Sequence, residues 1–305
     1  MNVLIIGAGG MIGRKLTARL KGKYDLTLCD VVAGPGIKEA DLSTPGTAET
    51  LVKDKPGIIV HLAAIVSGEA EADFERGYRI NLDGTRYLFE AIRKTPDYKP
   101  RVVFTSSIAV FGAPFPEKIG DEFFTTPLTS YGTQKAICEL LLSDYTRKGF
   151  FDGIGIRLPT ICVRPGLPNK AASGFFSNIL REPLAGKEAV LPVDDTVRHW
   201  HASPRTAVDF LIKAMTMDLS VLGARRNLTM PGLSATVGEQ IEALRRVGGD
   251  KAVSLIKRQP DATIQKIVAG WPQNFVAKRA EGLGFKAETS FDDIIRVHLE
   301  DEKPA

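Results

Sequence analysis

VLIIGAGGMIG, residues 3–13, runs four aliphatic side chains into glycines at positions 7, 9, 10 and 13. A short apolar run that stops on glycine reads as a strand buried on both faces. Beyond the glycines, residues 11–20 carry the periodicity of an amphipathic helix. Gly7 permits a tight turn out of the strand, Gly10 lets backbone approach a pyrophosphate, and Gly13 allows the helix to lie close on the strand. The helix start adds unpartnered N–H groups and the positive end of its dipole. The backbone of Met11 and Ile12 therefore joins the three glycines as a candidate phosphate cradle. A glycine-rich turn alone is a weak sign; set between a strand and a helix it is a strong one.

Outward from this stretch, short aliphatic runs alternate with longer periodic segments. Strands are expected at 26–28, 58–61, 102–105 and 154–156, and helices at 74–93 and 132–147. Strands linked through helices pair in parallel, and the product is a Rossmann-type, doubly wound α/β sheet. After Arg157 the texture changes to the Pro- and Gly-rich RLPTICVRPGLPN. Helices are then expected at 171–184, 203–217, 237–247 and 291–299, with a short strand at 189–191. The expected organisation is a dinucleotide-binding domain over 1–160, to which 195–225 returns, and a small C-terminal substrate-binding lid over 161–305.

The second expected strand ends at Asp30, 17 residues beyond Gly13. A carboxylate there accepts hydrogen bonds from both ribose hydroxyls and repels a 2′-phosphate. No arginine follows Asp30 directly, so the expected cofactor is NAD rather than NADP. Asp41 and Leu42 fall where a third loop would meet the adenine. Leu62, Ala63 and Ala64 follow the strand that ends in His61, and His61 itself reads as a strand-end histidine held by hydrogen bonds to backbone.

Of the six tyrosines, only Tyr131 has a lysine four residues on, at Lys135. That spacing sets both on one helix face. A tyrosine base at neutral pH must shift by about 3 units from its ordinary pKa, roughly 4 kcal/mol, and a neighbouring ammonium favours the phenolate. The pair alone carries little weight, since such spacing arises by chance. Its place decides: Tyr131 opens the helix after the fourth strand, and Ser106 and Ser107 stand at that strand's end. The carboxyl ends of the strands are where a doubly wound sheet binds ligands. Ser107 can there hydrogen-bond a reacting oxygen whose proton Tyr131 takes.

Gly7-x-x-Gly10-x-x-Gly13, HLAA at 61–64, SSIAVFG at 106–112 and YGTQK at 131–135 resemble the ordered signatures of the extended short-chain dehydrogenases. The resemblance implies Ser107, Tyr131 and Lys135 as the catalytic triad and Asn81 as the residue holding a water that links Lys135 to solvent. It also implies that backbone near Pro159 and Thr160 holds the nicotinamide carboxamide. Phe111 stands where many relatives have tyrosine, which removes a hydroxyl and leaves the chemistry.

The strings AAIVSGEAEADF (63–74), FTSSIAVFGAPFP (104–116), IRLPTICVRPGLPNKAASGFFS (156–177) and RHWHASPR (198–205) resemble the members of the family that act on small sugar acids. This implies oxidation of the C2 hydroxyl of a four-carbon acid, D-erythronate, to the 2-keto acid. The carboxylate of such a substrate calls for an arginine fork. Arg198, at the position of a phosphate-binding arginine in nucleotide-sugar relatives, is the first candidate, and Arg164 the second. Ser67 and Asn169, both expected in loops, are candidates for the substrate hydroxyls, and His201 for the pocket wall. Three other readings stay open: a nucleotide-sugar epimerase or dehydratase, a uronate dehydrogenase, and an NAD-sensing regulator. The last typically loses the Tyr–Lys pair that is present here.

Composition narrows the remaining classes. Lysine and arginine number 40 against 36 acidic residues, giving net +4 without a basic stripe, so nucleic acid is not an expected partner. Cys29, Cys138 and Cys162 show no metal spacing and sit in apolar runs, as buried small hydrophobes do. His199 and His201 flank Trp200, yet no third ligand stands at a suitable spacing, and no metal is expected. No apolar stretch approaches the roughly 18 residues of a membrane span, and MNVLIIGAGG lacks the basic start of a signal peptide. The expectation is a soluble cytoplasmic protein, with helices flanking the sheet as the candidate face of a homodimer.

Overall fold

The computed structural model describes residues 1–166 and 173–302. The chain divides into two compact units, the first comprising Met1–Val110, Thr129–Leu158 and Val208–Thr229. Its frame is a seven-stranded sheet in the order Asn227–Thr229, Asp152–Leu158, Arg101–Ser107, Ile58–His61, Asn2–Ile6, Asp25–Asp30, Lys38–Glu39. Every pairing is parallel. The aliphatic run that opens the sequence is an interior strand, between Ile58–His61 and Asp25–Asp30, with Val3 to Ile6 buried. Leu4, Ile6, Phe89, Ile92, Phe104 and Leu142 belong to one apolar cluster, which the helices Gly84–Lys94 and Ser130–Arg147 help to build.

The register positions the chemistry. Ile6 pairs with Cys29 on one side and His61 on the other, and His61 pairs with Phe104. The strand Arg101–Ser107 then runs on past its neighbour, so that Thr105, Ser106 and Ser107 project at the carboxyl edge while pairing with Ile156, Arg157 and Leu158. The expected single helix over 74–93 is a succession of Phe74–Gly77, a π-helical turn Tyr78–Asp83, and Gly84–Lys94. The wide turn holds Asn81 with its side chain buried; such turns recur at functional sites.

The second unit comprises Phe111–Leu128, Pro159–Ala207 and Met230–Ala305. Leu233–Thr236 and Thr160–Ile161 flank Arg198–Ala202 in a three-stranded sheet, antiparallel and parallel respectively. Helices Gly174–Leu184, Val237–Ser254 and Phe291–Asp301 enclose a core that includes Phe176, Ile179, Leu244 and Ile295. The helix from Val237 starts on a capping box: the Thr236 hydroxyl accepts the Glu239 N–H at 3.0 Å, and the Glu239 carboxylate accepts the Thr236 N–H at 2.6 Å.

Three features depart from the sequence expectation. The segment rejoining the first unit is Val208–Thr229, whereas 195–207, with the strand Arg198–Ala202, belongs to the second. Phe111–Leu128 also belongs to the second unit, although in sequence it lies between the strand Arg101–Ser107 and the helix Ser130–Arg147. The sheet gains its outermost strands, Lys38–Glu39 and Asn227–Thr229, from runs too short to show periodicity.

His199 and His201 are buried in the second unit, where desolvation is the first cause holding both below the ordinary histidine value, His199 at about 4. The unfolded chain takes up these protons first, so the stability present above pH 6.5 is lost as pH falls. For His199 this costs about 2 kcal/mol at pH 5 relative to neutrality, and His201 acts in the same direction. Thermal melts should show a Tm clearly lower at pH 5 than at pH 7; equal values would mean that the histidines become protonated without cost.

Candidate active site

The turn after the first strand is shaped for close approach. Gly7 has φ +90°, and a Cβ there would lie 2.7 Å from the Ala63 nitrogen. A Cβ on Gly13 would lie 2.3 Å from the Gly7 carbonyl oxygen, so the helix Met11–Leu20 packs directly on the turn. The Gly7 and Ala8 N–H groups donate to Cys29 O at 2.9 and 3.0 Å. Gly10 caps the helix with no side-chain hydrogen bond, which leaves the first-turn N–H groups of Met11 and Ile12 without intrahelical partners.

This turn walls a cavity of about 950 Å³. Asp30 lines it beside the turn, accepting the Gly9 N–H at 2.9 Å through Oδ2. Asp41, Leu42, Leu62, Ala63 and Ala64 line it as well, whereas Met11 and Ile12 face it only by their place at the helix start. The glycine cradle, the uncapped helix and the strand-end carboxylate fit a dinucleotide with free ribose hydroxyls. Sequence reasoning missed Arg79, which also lines the cavity and donates through Nη1 to Ser43 Oγ at 2.8 Å. Ser43 in turn is held by Asp41, at 2.8 Å from its N–H and 2.7 Å from its hydroxyl. Arg79 comes from the π-helical turn, 36 residues from its partner, and no local signal marks it.

The helix Ser130–Arg147 is held at its start by two acceptors. Thr129 Oγ1 takes the Gly132 N–H at 3.1 Å and the Glu71 carboxylate takes the Ser130 N–H at 2.9 Å. This sets Tyr131 in the first turn and Lys135 one turn on, with Lys135 Nζ 5.7 Å from the Tyr131 ring centroid and 4.7 Å from that of Phe104. The amine is 3% exposed and donates to Thr105 O at 2.8 Å. Burial pulls the Lys135 amine down to about 8, against the opposing pull of Cys138 and Glu139. It is therefore mostly cationic at neutral pH. Ser107 ends the strand, its hydroxyl oxygen accepting the Ala109 N–H at 3.1 Å.

Asn81 acts as a clasp. Its Oδ1 accepts the Ile65 N–H at 2.9 Å, and its Nδ2 donates to Ile65 O at 3.2 Å and Gln134 Oε1 at 2.7 Å. It thus ties the loop after His61 to the helix of Tyr131 and Lys135. His61 is held by a side chain rather than by backbone: Thr85 gives its hydroxyl proton to Asn81 O at 2.8 Å, so His61 Nε2 donates to Thr85 Oγ1 at 2.9 Å. Burial, with Lys135 beside it, drives His61 down to about 3 and keeps it neutral.

The substrate candidates fare unevenly. Ser67 opens the short helix Ser67–Ala72 rather than lying in a loop, because the segment after Val66 turns helical. Arg198 lines a cavity of about 500 Å³ in the second unit with Phe115, Glu117, Gln273 and Asn274. Its guanidinium already donates to Ser234 O at 3.2 Å and lies 3.3 Å from the Glu239 carboxylate. Arg164 donates through Nε to Ile161 O at 3.1 Å and through Nη2 to Ser173 Oγ at 3.4 Å. Asn169 lies outside the described residues.

One expectation gives way. His201 has no exposed surface; it packs among Phe176, Phe291 and His199 with Gln240 Nε2 3.1 Å from its Nε2, and is a core side chain rather than a pocket wall. Strand alternation explains this, since it turns His199 and His201 away from the face that carries Arg198. Pro159, the expected neighbour of the nicotinamide carboxamide, is buried at the start of a second-unit segment. His199 donates through Nδ1 to Pro272 O at 2.8 Å and accepts from Thr160 at 2.7 Å, which occupies both ring nitrogens. Among the described residues no cluster of three histidine, cysteine or acidic side chains could hold a metal. Nor is any helix among them long and apolar enough to cross a membrane.

Comparison with known proteins bears on the same residues. The chain is 46% identical to a D-erythronate dehydrogenase of Cupriavidus necator, over 99% of its own length and 98% of the relative's. It is 42% identical to a D-erythronate dehydrogenase of Haemophilus influenzae, over 98% and 99%. The crystal structure of the nucleoside-diphosphate-sugar epimerase from Agrobacterium tumefaciens matches with a TM-score of 0.95 at 66% identity, covering 99% of this chain and 94% of that one. Residues 3–219, which carry both the glycine cradle and the Tyr131–Lys135 helix, match the NAD dependent epimerase/dehydratase family, and the chain belongs to it.

Proposed function

We propose that the protein is an NAD-dependent dehydrogenase that oxidises the C2 hydroxyl of a small sugar acid, D-erythronate, to 2-dehydro-D-erythronate. The observation that carries this reading is the near full-length identity to two D-erythronate dehydrogenases, in a chain that retains Ser107, Tyr131 and Lys135 at one edge of the sheet.

When bound, NAD supplies the acceptor for the hydride that leaves C2. The rest falls to the chain's own residues. The Ser107 hydroxyl hydrogen-bonds the reacting oxygen and orients it. Tyr131, as phenolate, takes the proton of the C2 hydroxyl. Lys135 stabilises that phenolate through charge, and its burial beside the Phe104 and Tyr131 rings strengthens the effect by excluding water. Asp30 and the glycine turn hold the adenosine half, with Arg79 and Asp41 at the same cavity. Arg198, Ser67 and Asn169 remain the proposed contacts of the substrate's carboxylate and hydroxyls. A cytoplasmic location and a homodimer through helices flanking the sheet, where Leu140 is exposed, belong to the same reading.

The 66% identical structure is described as a nucleoside-diphosphate-sugar epimerase, which favours a second reading in which reduced cofactor stays bound and is reoxidised. Absorbance of NADH at about 340 nm separates the two. D-Erythronate should yield one NADH per substrate oxidised, while nucleotide sugars yield none; interconversion of nucleotide sugars without net NADH would establish the second reading. Tyr131→Phe should lower kcat by about a thousandfold with NADH affinity nearly unchanged, and retained activity would show that another group is the base. Asp30→Ala should weaken NAD binding about tenfold and narrow the preference over NADP. An unaltered cofactor ratio in that variant would place the discrimination elsewhere.

A further inference from the structure

Ser106, Glu139 and Arg157 form a buried polar group that the chemistry above does not use. Ser106 and Arg157 are register partners on adjacent parallel strands, so their side chains leave the sheet on the same face. Glu139 meets both from the helix Ser130–Arg147. The Ser106 hydroxyl donates to Glu139 Oε1 at 2.6 Å, Arg157 Nε donates to the same oxygen at 2.9 Å, and Arg157 Nη2 donates to Oε2 at 2.7 Å. The carboxylate is 3% exposed and the arginine side chain 13%. Three donors converge on one carboxylate, and the two-point contact with the planar guanidinium leaves it little freedom.

Stability alone is a poor reason for such a pair, because well-packed apolar side chains of similar volume often do as well. Its position suggests another. Thr105, Ser106 and Ser107 are consecutive at the projecting end of the strand: the first accepts the Lys135 amine, the second holds Glu139, and the third is the proposed oxygen-orienting serine. Glu139 stands one helical turn beyond Lys135, which itself stands one turn beyond Tyr131. The charged and titratable groups around the amine are Tyr131, Cys138 and Glu139 on its own helix, His61 on the neighbouring strand, and Arg157 behind Glu139. Burial keeps His61 neutral, and burial pushes the Cys138 thiol up to about 11. Of the groups acting on the amine, Glu139 therefore brings the negative charge.

We propose that Glu139 is a positioning residue for the Ser107–Tyr131–Lys135 chemistry. Locked by Arg157 and Ser106, it fixes the strand end that carries Ser107 against the helix that carries Tyr131 and Lys135. It also sets a negative charge one turn from the buried amine. This rests on the Tyr–Lys reading given under the proposed function.

The test compares Glu139→Gln with the apolar pair variant Glu139→Met/Arg157→Met, which removes both charges and is expected to keep the core packed. For each variant kcat, KM for NAD and Tm are measured, and the Lys135 amine is titrated by NMR in protein carrying 15N-labelled lysine. Its signal is identified by its loss in Lys135→Met. Folded variants should bind NAD nearly normally yet lose about 100-fold in kcat, as a misplaced catalytic group does. The amine should titrate lower by about one unit. Variants that fold and keep both kcat and the titration midpoint overturn the proposal. So does failure of both variants to fold, which would make the pair a requirement of the fold alone. Tyr131→Phe, assayed alongside, keeps the two readings apart. An active Tyr131→Phe removes the Tyr–Lys chemistry itself, whereas an inactive one with active Glu139 variants removes only the role of Glu139. The titration needs no turnover, so it holds whichever substrate proves correct.

Discussion

Where Gly13 passes Gly7, a Cβ would stand 2.3 Å from a carbonyl oxygen, closer than any side chain can be accommodated. That contact allows the first helix to lie on the first strand, and the first strand is interior to the sheet, paired on both sides. With the helix in place, its start faces the same edge as the ends of the parallel strands. One edge then collects the unpartnered N–H groups of the turn, the Asp30 carboxylate, and the overhang of Thr105 to Ser107. Parallel pairing does the rest, because strands that all point one way deliver their last residues to one place.

That edge carries charge into the protein interior, and each charge is handled differently. Lys135 keeps its proton near neutrality although burial opposes it, with a carbonyl to hydrogen-bond and two aromatic faces to sit against. Arg157 and Glu139 compensate one another through paired hydrogen bonds. His61, wholly buried and beside the Lys135 cation, gives up its charge instead. The outcome follows the neighbours on offer: an opposite charge retains ionisation, and burial beside a like charge does not.

How far the sequence could be read follows from how local each signal is. The first strand and turn were legible because aliphatic run, glycine spacing and helix start are adjacent. Tyr131 and Lys135 were legible because a four-residue spacing has meaning once a helix is assumed. Asp30 was legible from its distance to the glycines. Arg79, Glu139 and Arg157 were not, since each acts on a partner 18 to 36 residues away, through register that only the folded sheet defines. His201 misled for the opposite reason. Two histidines around a tryptophan suggest a functional strand, but alternation also sends such a pair inward together, where aromatic packing accounts for them. The assignment of Phe111–Leu128 to the second unit was not legible either, because its three prolines mark a break between strand and helix without saying which unit the segment joins.

The cofactor machinery alone does not choose between a sugar acid and a nucleotide sugar, because both reactions begin with a proton and a hydride leaving one carbon. The choice rests on what the second unit offers an anion. Arg198 is the cation of its cavity, yet Glu239 lies 3.3 Å from it and is tied in place by the Thr236 N–H at 2.6 Å. That carboxylate stays near any anion brought to the guanidinium, so the local charge is close to balanced. A substrate with one carboxylate meets this repulsion once. A diphosphate, with several negative oxygens spread over two phosphorus centres, meets it repeatedly and gains only one shared cation in return. The pair is half-exposed and therefore weak in energy, and in the proposed reading it is the single carboxylate of the sugar acid that meets it.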